Sequence, residues 1–362
     1  MIKTPFAVLA TVLATVLVSG AFAAAPVPPA GAAPSAASPA RPAGPAPSGA
    51  PIVIKIASIA PDRSPWDKAV EKTAAAWERI SKGAVQVKIF PGSIAGNEQD
   101  VVRKIRLGVL HGGVFSNMGL AKLDYSLTVL SIPFLFHSRE EFLAVFDRVR
   151  PAFEKALEGK GFKVMLWTHA GWVNFFTKTA VVDPDDLKKL KLSVTADFPE
   201  LEQVWKGMGY EVVTGEANSL MIQLQSGAAS AAYLPPLMAA SGQYFALVPH
   251  MFAPSLAPLM GGLLMGDKAW ASIPADLHAP FIEAVAESAR GLYEETMALE
   301  ADAVKMMKDN GLVVHDPSPE KLARWREATN QAVNRLIGPV FSKETYDQVV
   351  GYVQEYRKSR GQ

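Results

Sequence analysis

The hydrophobic positions after residue 51 fall into two patterns that follow each other along the chain. Short runs rich in β-branched residues, at 52–59 and 85–90, predict buried β-strands. Between these runs, apolar residues recur every three or four positions, which predicts amphipathic helices. Ser64-Pro65 and Asn97 are capping residues at which two helices are expected to begin. With a further strand at 109–115, the β-α-β-α-β order predicts a parallel sheet with right-handed crossovers.

The same two patterns continue to the C-terminus. Ser138 precedes Glu141 by three residues, a capping-box pattern that predicts the start of another helix. The stretch 280–308 keeps helical spacing throughout and predicts one long helix. The other predicted elements are strands at 163–167, 260–265 and 312–314 and helices at 319–336 and 343–356.

The stretch from residue 163 to residue 236 is the most informative part of the chain. Its segments are the strand-like run 163–167, Gly171-Trp172-Val173-Asn174-Phe175-Phe176, Asp183-Pro184-Asp185-Asp186, the run 190–194, Leu224-Gln225-Ser226-Gly227 and Tyr233-Leu234-Pro235-Pro236. Strands, a Pro/Asp helix start and a Gly-terminated helix at this spacing are typical of an α/β sheet whose loops face a cleft. The polar groups expected to hold a charged ligand in such a cleft are missing from these motifs.

The first 51 residues differ in composition from the rest of the chain. Residues 1–23 combine Lys3, an apolar run and Ala21-Phe22-Ala23, the pattern of a cleaved export signal. An uncleaved membrane anchor is the alternative, because the apolar run nearly reaches spanning length. Residues 24–51 are almost entirely Ala, Pro, Gly and Ser, which predicts a disordered tether outside the fold.

Composition and motifs exclude several classes of function. The chain has 362 residues, long enough for two domains, and its net charge of +1 gives no reason to propose a nucleic-acid partner. It has no Cys, and its six His are too scattered to suggest a local metal motif. His111-Gly112-Gly113 is similar to an esterase oxyanion loop, but no Gly-x-Ser-x-Gly nucleophile motif accompanies it. We therefore expect no enzymatic activity, no cofactor and no metal, with a hydrolase as a remote alternative.

The order of these motifs resembles the DctP-type solute-binding proteins of tripartite ATP-independent periplasmic (TRAP) transporters. The resemblance spans about residues 52–340 and is carried by Ile132-Pro133-Phe134-Leu135-Phe136, the segment 184–192 and Leu224–Gly227. It implies a two-lobed α/β periplasmic binding protein fold, with a parallel or mixed sheet in each lobe and a long helix spanning both. The implied lobes are residues 52–170 with 255–298, and 171–254 with 299–362.

The resemblance also implies a function. A periplasmic monomer would close on one small molecule and deliver it to the membrane subunits of a TRAP permease. An envelope carrier or chaperone for a hydrophobic molecule, working without a standard permease, remains the alternative.

Members of this family that bind carboxylates use two Arg and one Asn as anchors. Aligning the motifs places Val173 and Ser193 at the two Arg positions and Leu234 at the Asn position. A carboxylate enclosed by these side chains would lose its hydration without gaining a cation, at a cost of several kcal/mol. We therefore expect an apolar or uncharged ligand, an expectation that a guanidinium entering the cleft from elsewhere in the chain would overturn.

Six further residues are candidate ligand contacts because they are aromatic or polar and flank the same motifs. They are Trp66, Asn117, Trp167, Trp172, Phe175 and Tyr233. Each has a structural alternative: aromatic residues in strands and at helix starts more often pack in the core, and an Asn after a strand often caps a turn. The sequence leaves both roles open for all six.

Overall fold

The computed structural model describes residues 50–60, 63–196, 199–215 and 219–361. The predicted export signal at 1–23 lies outside the described residues, as does the tether up to residue 49. Within the described ranges, no helix has both the length and the apolar character needed to cross a bilayer.

Strands and helices alternate along most of the described chain. The strands are β1 (Ile52–Ser58), β2 (Val85–Phe90), β3 (Gly112–Ser116), β4 (Phe162–Thr177), β5 (Lys191–Thr195), β6 (Glu211–Gly215), β7 (Ala231–Leu234), β8 (His250–Phe252), β9 (Ala257–Gly266) and β10 (Val313–His315). The helices are α1 (Pro65–Ile80), α2 (Glu98–Arg106), α3 (Asn117–Leu123), α4 (Arg139–Glu158), α5 (Pro184–Leu187), α6 (Pro199–Gly207), α7 (Leu220–Ser226), α8 (Pro236–Ser241), α9 (Asp267–Ala271), α10 (Ala275–Ser288), α11 (Leu292–Asp309), α12 (Pro319–Leu336) and α13 (Lys343–Ser359).

The strands form a mixed sheet in the order β2-β1-β3-β9-β4-β7-β5-β6, with β8 pairing both β4 and β10. β1 is parallel to β2 and β3, as the sequence predicts, whereas β9 is antiparallel to β3 and β4. The long strand β4 belongs to both halves of the sheet. It pairs with β9 over Phe162–Val173 and with β7 over Asn174–Thr177. The predicted α/β fold with a mixed sheet is confirmed.

Each half of the sheet has an apolar cluster on either face. In the first half, Trp77 of α1 is fully buried and stacks on Phe281 of α10 at 4.5 Å between ring centroids. Its indole N–H donates to the Phe281 carbonyl at 3.1 Å, so this buried polar group is satisfied. In the second half, Phe175 of β4 packs against Trp325 of α12 at 5.5 Å. These clusters hold the helices against the sheet.

The predicted helix caps are confirmed at three starts. The side chains of Ser64, Asn97 and Ser138 accept hydrogen bonds from the N–H groups of Asp67, Asp100 and Glu141, respectively. Each satisfies an N–H that has no partner within its own helix. The carboxylate of Glu141 accepts the N–H of His137, one residue before the position that a capping box would use.

The single helix predicted at 280–308 is wrong, because the structure has two helices there. α10 begins five residues earlier, at Ala275, and ends at Ser288; α11 begins after Gly291. Gly291 has a φ of +76°, which ends the helical path, and helical spacing of apolar residues cannot reveal such a break. α11 contacts α1 in the first half and α8 in the second, so it is the helix that crosses between the halves.

The C-terminal helix belongs with the first half of the molecule. Val349 and Val353 of α13 lie in the same apolar cluster as Phe142 and Phe153 of α4. The predicted second lobe included α13, whereas this packing places α13 beside α4. The lobe boundaries stay a proposal.

Candidate functional site

β4 has an irregularity where it passes from one half of the sheet to the other. Its pairing register with β9 shifts between His169 and Trp172. Gly171, inside this bulge, has a φ of +100°, a conformation that favours glycine. A Cβ at this position would lie 2.8 Å from Glu300 Cδ on α11. The glycine therefore permits both the backbone turn and the close approach of α11.

The side chain of His169 is enclosed by aromatic rings beside this bulge. Its ring centroid lies 5.2 Å from that of Phe142 and 5.0 Å from that of Tyr293. Both ring nitrogens are buried and have no hydrogen-bond partner. Burial, and secondarily the charge of Arg139, lower the pKa of His169 to about 4. The imidazole is therefore neutral near pH 7 and offers one donor and one acceptor.

Glu300 is the second buried ionisable group at the bulge. Its Oε1 is buried and has no hydrogen-bond partner. Burial raises the pKa of this carboxyl group to about 7. Near neutral pH the group can therefore donate a proton in a hydrogen bond or accept one.

Arg139 brings a positive charge to the same place from the first turn of α4. Its Cζ lies 3.7 Å from the ring centroid of Tyr293, a cation–π contact. The Glu294 carboxylate is 3.6 Å from Nη2, too long for a good hydrogen bond, and Nε is buried without a partner. We call Arg139, His169, Tyr293 and Glu300 the crossing cluster, because they meet where α11 crosses β4.

The three residues that the sequence motifs align with the family's ligand anchors carry no charge. Val173 is 6% exposed and Leu234 is 4% exposed, and both lie in apolar clusters. The Ser193 hydroxyl donates to Gln223 Oε1 at 2.7 Å. A ligand carboxylate would find no cation in these three side chains.

Two of the candidate tryptophans have distinct surroundings. The indole nitrogen of Trp66 is buried without a partner. Trp66 lines a cavity of about 30 Å³ together with Thr168 and Leu292, a space that suits one water molecule. Trp167 donates from Nε1 to Glu154 Oε1 at 2.9 Å and packs on Phe146. The indole donor of Trp167 is therefore used within the fold and that of Trp66 is not, and a ligand role for either residue stays a prediction.

Trp172 and Asn117 are half-buried in the first half of the molecule. Trp172 lies edge-on to Phe142 at 6.5 Å and to His169 at 5.9 Å, so it adjoins the crossing cluster. Asn117 donates from its amide to Ser131 Oγ at 3.3 Å. A ligand role for either residue stays a prediction.

Phe175 and Tyr233 face each other across the β4–β7 pair, with ring centroids 5.6 Å apart. Phe175 is 1% exposed and also packs against Phe252 and Trp325. Burial raises the pKa of the Tyr233 hydroxyl. Both rings are part of the core of the second half, and ligand contact by either stays a prediction.

Other motifs from the sequence have structural roles. His111 accepts the N–H of Lys55 through Nδ1 at 3.0 Å, which places this His beside the start of β3. Asp183 caps α5 and pairs with Arg324 of α12 at 2.5 Å. Among the described residues, no group of three or more His, Asp or Glu side chains could hold a metal ion.

Arg139, His169 and Glu300 stand in no sequence motif that marks them as site residues. Arg139 reads as part of a helix start, and Glu300 as one of several acids on an amphipathic helix. The available signal was Gly171, two residues after His169 in a strand-like segment, since an isolated Gly in a strand indicates a bulge or a close backbone approach.

Known proteins resemble this chain over most of its length. Residues 56–338 match the DctP family, described as bacterial extracellular solute-binding protein, family 7. The C4-dicarboxylate-binding periplasmic protein DctP of Rhodobacter capsulatus is 23% identical over 287 residues, covering 76% of this chain and 84% of that protein.

Two solved structures of TRAP periplasmic solute-binding proteins show the same fold. One, from Ralstonia eutropha H16 with bound (S)-2-hydroxy-2-methyl-3-oxobutanoate, has a TM-score of 0.76 at 19% identity and covers 84% of this chain and 99% of that chain. The other, from Shewanella oneidensis with bound succinate, has a TM-score of 0.74 at 20% identity and covers 84% of this chain and 100% of that chain.

Proposed function

The chain belongs to the DctP family of bacterial extracellular solute-binding proteins, and we propose that it captures a small, largely apolar ligand between its two halves for delivery to a TRAP-type permease. The ligand carries at most one negative charge. The observation that carries this assignment is the burial of Val173 and Leu234 in apolar clusters at two of the three anchor positions. These side chains cannot compensate the desolvation of a carboxylate.

Arg139 changes the expectation drawn from the sequence. An apolar or uncharged ligand was expected because the aligned anchor positions lack a cation, and the Arg139 guanidinium on α4 is a cation of the kind that overturns the restriction to uncharged ligands. One guanidinium can pair with one carboxylate. A dicarboxylate would bring its second charge toward Glu300, whose burial already disfavours the ionised form.

The ligands held by the two related structures are both acids. The Shewanella oneidensis protein holds succinate, a dicarboxylate, whereas the Ralstonia eutropha protein holds a branched monocarboxylate. The same fold thus accommodates both classes. For this chain, the apolar anchor positions favour a ligand of the second class or a neutral one.

The family implies delivery to a permease and a location in the periplasm. The export-signal pattern at residues 1–23 supports transport across the inner membrane. A carrier that transfers the ligand to another envelope protein has the same ligand-binding requirement. Genes for one small and one large multi-span membrane protein beside this one would favour the permease.

The test is to identify the ligand that co-purifies with the full-length protein by native mass spectrometry followed by denaturing release. We expect a small molecule with an apolar body and no more than one carboxylate. Titration calorimetry with succinate should show no heat of binding at millimolar concentration. Tight succinate binding would contradict the proposed ligand class, and the absence of any ligand-binding activity would contradict the assigned function.

A further inference from the structure

Two half-buried histidines meet on the neighbouring strands β8 and β10. His250 Nδ1 and His315 Nε2 are 2.8 Å apart, and the two ring centroids are 5.0 Å apart. The residues are separated by 65 positions in the sequence, so no local spacing indicates that they come together. Neither residue belongs to the crossing cluster or to the aligned anchor positions, and the proposed solute-binding function uses neither.

The register of the two parallel strands explains why these side chains meet. His250 of β8 is opposite Val313 of β10, and His315 follows Val313 by two residues. Side chains two residues apart along a strand lie on the same face, so both imidazoles lie on one face of the strand pair. Met251 and Val314, on the other face, pack in an apolar cluster. Val313 shares the face of the imidazoles and is 46% exposed, so water and ions can reach this face.

The separation of the two nitrogens fits one edge of a square-planar or octahedral metal centre. The bond from a zinc ion to an imidazole nitrogen is about 2.0–2.1 Å long, and we take this length for similar divalent ions. Two such bonds at a right angle place their nitrogens about 2.8–3.0 Å apart, whereas a tetrahedral angle requires about 3.3–3.4 Å. The observed 2.8 Å agrees with the right angle. It is also a hydrogen-bond distance, so without a metal one imidazole donates its N–H to the other.

We propose that His250 and His315 form a two-residue chelating site for a divalent transition-metal ion, with Cu²⁺ preferred. The ion replaces the N–H···N hydrogen bond after a small rotation of the rings, and water fills the remaining coordination positions. Both imidazoles bind in the neutral form, each with its proton on the ring nitrogen that faces away from the ion. The residue that donated the hydrogen bond changes tautomer through solvent, so no net proton is released.

The ligand set determines which cations this histidine pair accepts. Imidazole suits Cu²⁺, Ni²⁺ and Zn²⁺, whereas Ca²⁺ and Mg²⁺ require oxygen ligands. Affinity for such ligands rises from Mn²⁺ through Ni²⁺ to Cu²⁺ and falls again at Zn²⁺. The right-angle geometry also favours square-planar Cu²⁺ and Ni²⁺ over tetrahedral Zn²⁺. A bound ion would tie β10, the strand that follows α11, to β8.

The experiment is titration calorimetry of the untagged full-length protein at pH 7.5 with Cu²⁺, Ni²⁺ and Mg²⁺, in a glycine buffer that competes for weakly bound ions. The wild type should bind one equivalent of Cu²⁺, should bind Ni²⁺ more weakly, and should give no heat of binding with Mg²⁺. His250→Gln and His315→Gln should each weaken Cu²⁺ binding by at least about tenfold, because a single imidazole remains where two held the ion.

The matched control is His137→Gln, which removes a half-buried histidine from the loop before α4 and should leave Cu²⁺ binding unchanged. A glutamine at position 250 or 315 can still form a hydrogen bond with the remaining imidazole, and thermal melts without metal check that each variant is folded. Cu²⁺ should raise the melting temperature of the wild type but not that of His250→Gln or His315→Gln, because the paired site exists only in the folded state.

Pulsed electron paramagnetic resonance of the Cu²⁺ complex counts the imidazoles on the ion without depending on any variant. We expect two imidazoles in the wild type and one or none in either variant. A wild-type spectrum with fewer than two imidazoles would overturn the proposal, even if a variant failed to fold. Failure to bind one equivalent of Cu²⁺, or equal binding in the wild type and both variants, would overturn it as well. None of these outcomes bears on the proposed solute-binding function.

Discussion

Arg357 Nε lies 2.6 Å from Oε1 of Glu141, a carboxylate whose side chain is 3% exposed. This ion pair joins the last turns of α13 to the first turn of α4, where Arg139 is located. The same guanidinium donates to the carbonyl of Leu135 at 2.7 Å. The C-terminal helix therefore fixes the loop that leads into the crossing cluster.

Substituting Arg357 should be strongly destabilising. Arg357→Gln would leave Glu141 buried without its cation, and we expect the free energy of unfolding to fall by about 3–5 kcal/mol. Urea denaturation followed by far-ultraviolet circular dichroism measures this. The control is Arg148→Gln, which breaks the exposed ion pair between Arg148 of α4 and Glu355 of α13. This substitution should lower the free energy of unfolding by no more than about 1 kcal/mol. Equal losses in the two variants would contradict a special role for Arg357.

Gly171→Ala should impair both stability and ligand binding. The new methyl group would be strained at a φ of +100° and would collide with Glu300. Gly227→Ala is the matched control, because Gly227 also has a positive φ of +71° but an added Cβ there would contact nothing within 4 Å. Thermal melts should show that Gly171→Ala lowers the free energy of unfolding more than Gly227→Ala does, by about 1 kcal/mol or more. Identical losses would show that only backbone strain matters.

Glu300 should make the ligand-free protein less stable as the pH rises. Its pKa is raised to about 7 in the folded state from 4.5, so the folded state retains the proton more strongly. This contribution to stability is complete below pH 4.5 and is lost as the pH rises through 7. The free energy of unfolding of Glu300→Gln, measured relative to that of the wild type, should therefore rise by up to about 3 kcal/mol between pH 4.5 and pH 8. Guanidinium titrations across this range provide the measurement, and a constant difference would refute the prediction.

His169 should make the protein less stable as the pH falls, the opposite of the effect of Glu300. Its pKa is lowered to about 4 in the folded state from 6.5, so the unfolded state binds the proton more strongly. Its contribution to stability is complete above pH 6.5 and is lost as the pH falls through 4. The free energy of unfolding of His169→Phe, measured relative to that of the wild type, should rise by up to about 3 kcal/mol as the pH falls from 6.5 to 4.

The same denaturation experiment compares wild type and His169→Phe at pH 7 and pH 4.5. Because Glu300 and His169 titrate over overlapping ranges with opposite signs, the double variant is the informative control. Its stability should depend on pH less than that of either single variant. A wild-type-like pH profile in His169→Phe would show that His169 is accessible to protons in the folded state.

Much of the fold could be predicted from the sequence, because local patterns encode it. Ser64, Asn97 and Ser138 cap helices as predicted, since their side chains bond to N–H groups three residues away. The helix at Pro319–Leu336 begins and ends at the predicted residues. The break at Gly291 was missed because apolar spacing on either side of it continues without interruption.

The candidate site could be predicted only in part, because its residues are assembled by tertiary contacts. Val173 and Leu234 were recognised as apolar at anchor positions, and both are buried in the structure. Arg139, His169 and Glu300 are separated by 30 and 131 residues in the chain and share no local motif. These residues come near one another because α11 crosses β4 at the bulge. The spacing of apolar residues in the sequence does not show such a tertiary contact.

The continuity of β4 through both halves of the sheet also limits how the protein can open. β4 and β9 form an antiparallel ribbon from Phe162–Gly266 to Val173–Ala257, with the bulge within it. Two-stranded ribbons twist readily but resist stretching, because every backbone hydrogen bond would have to lengthen. The two halves are therefore joined by a continuous pair of strands, and a rotation of one half against the other would twist this ribbon, in which the pairing is already irregular between His169 and Trp172.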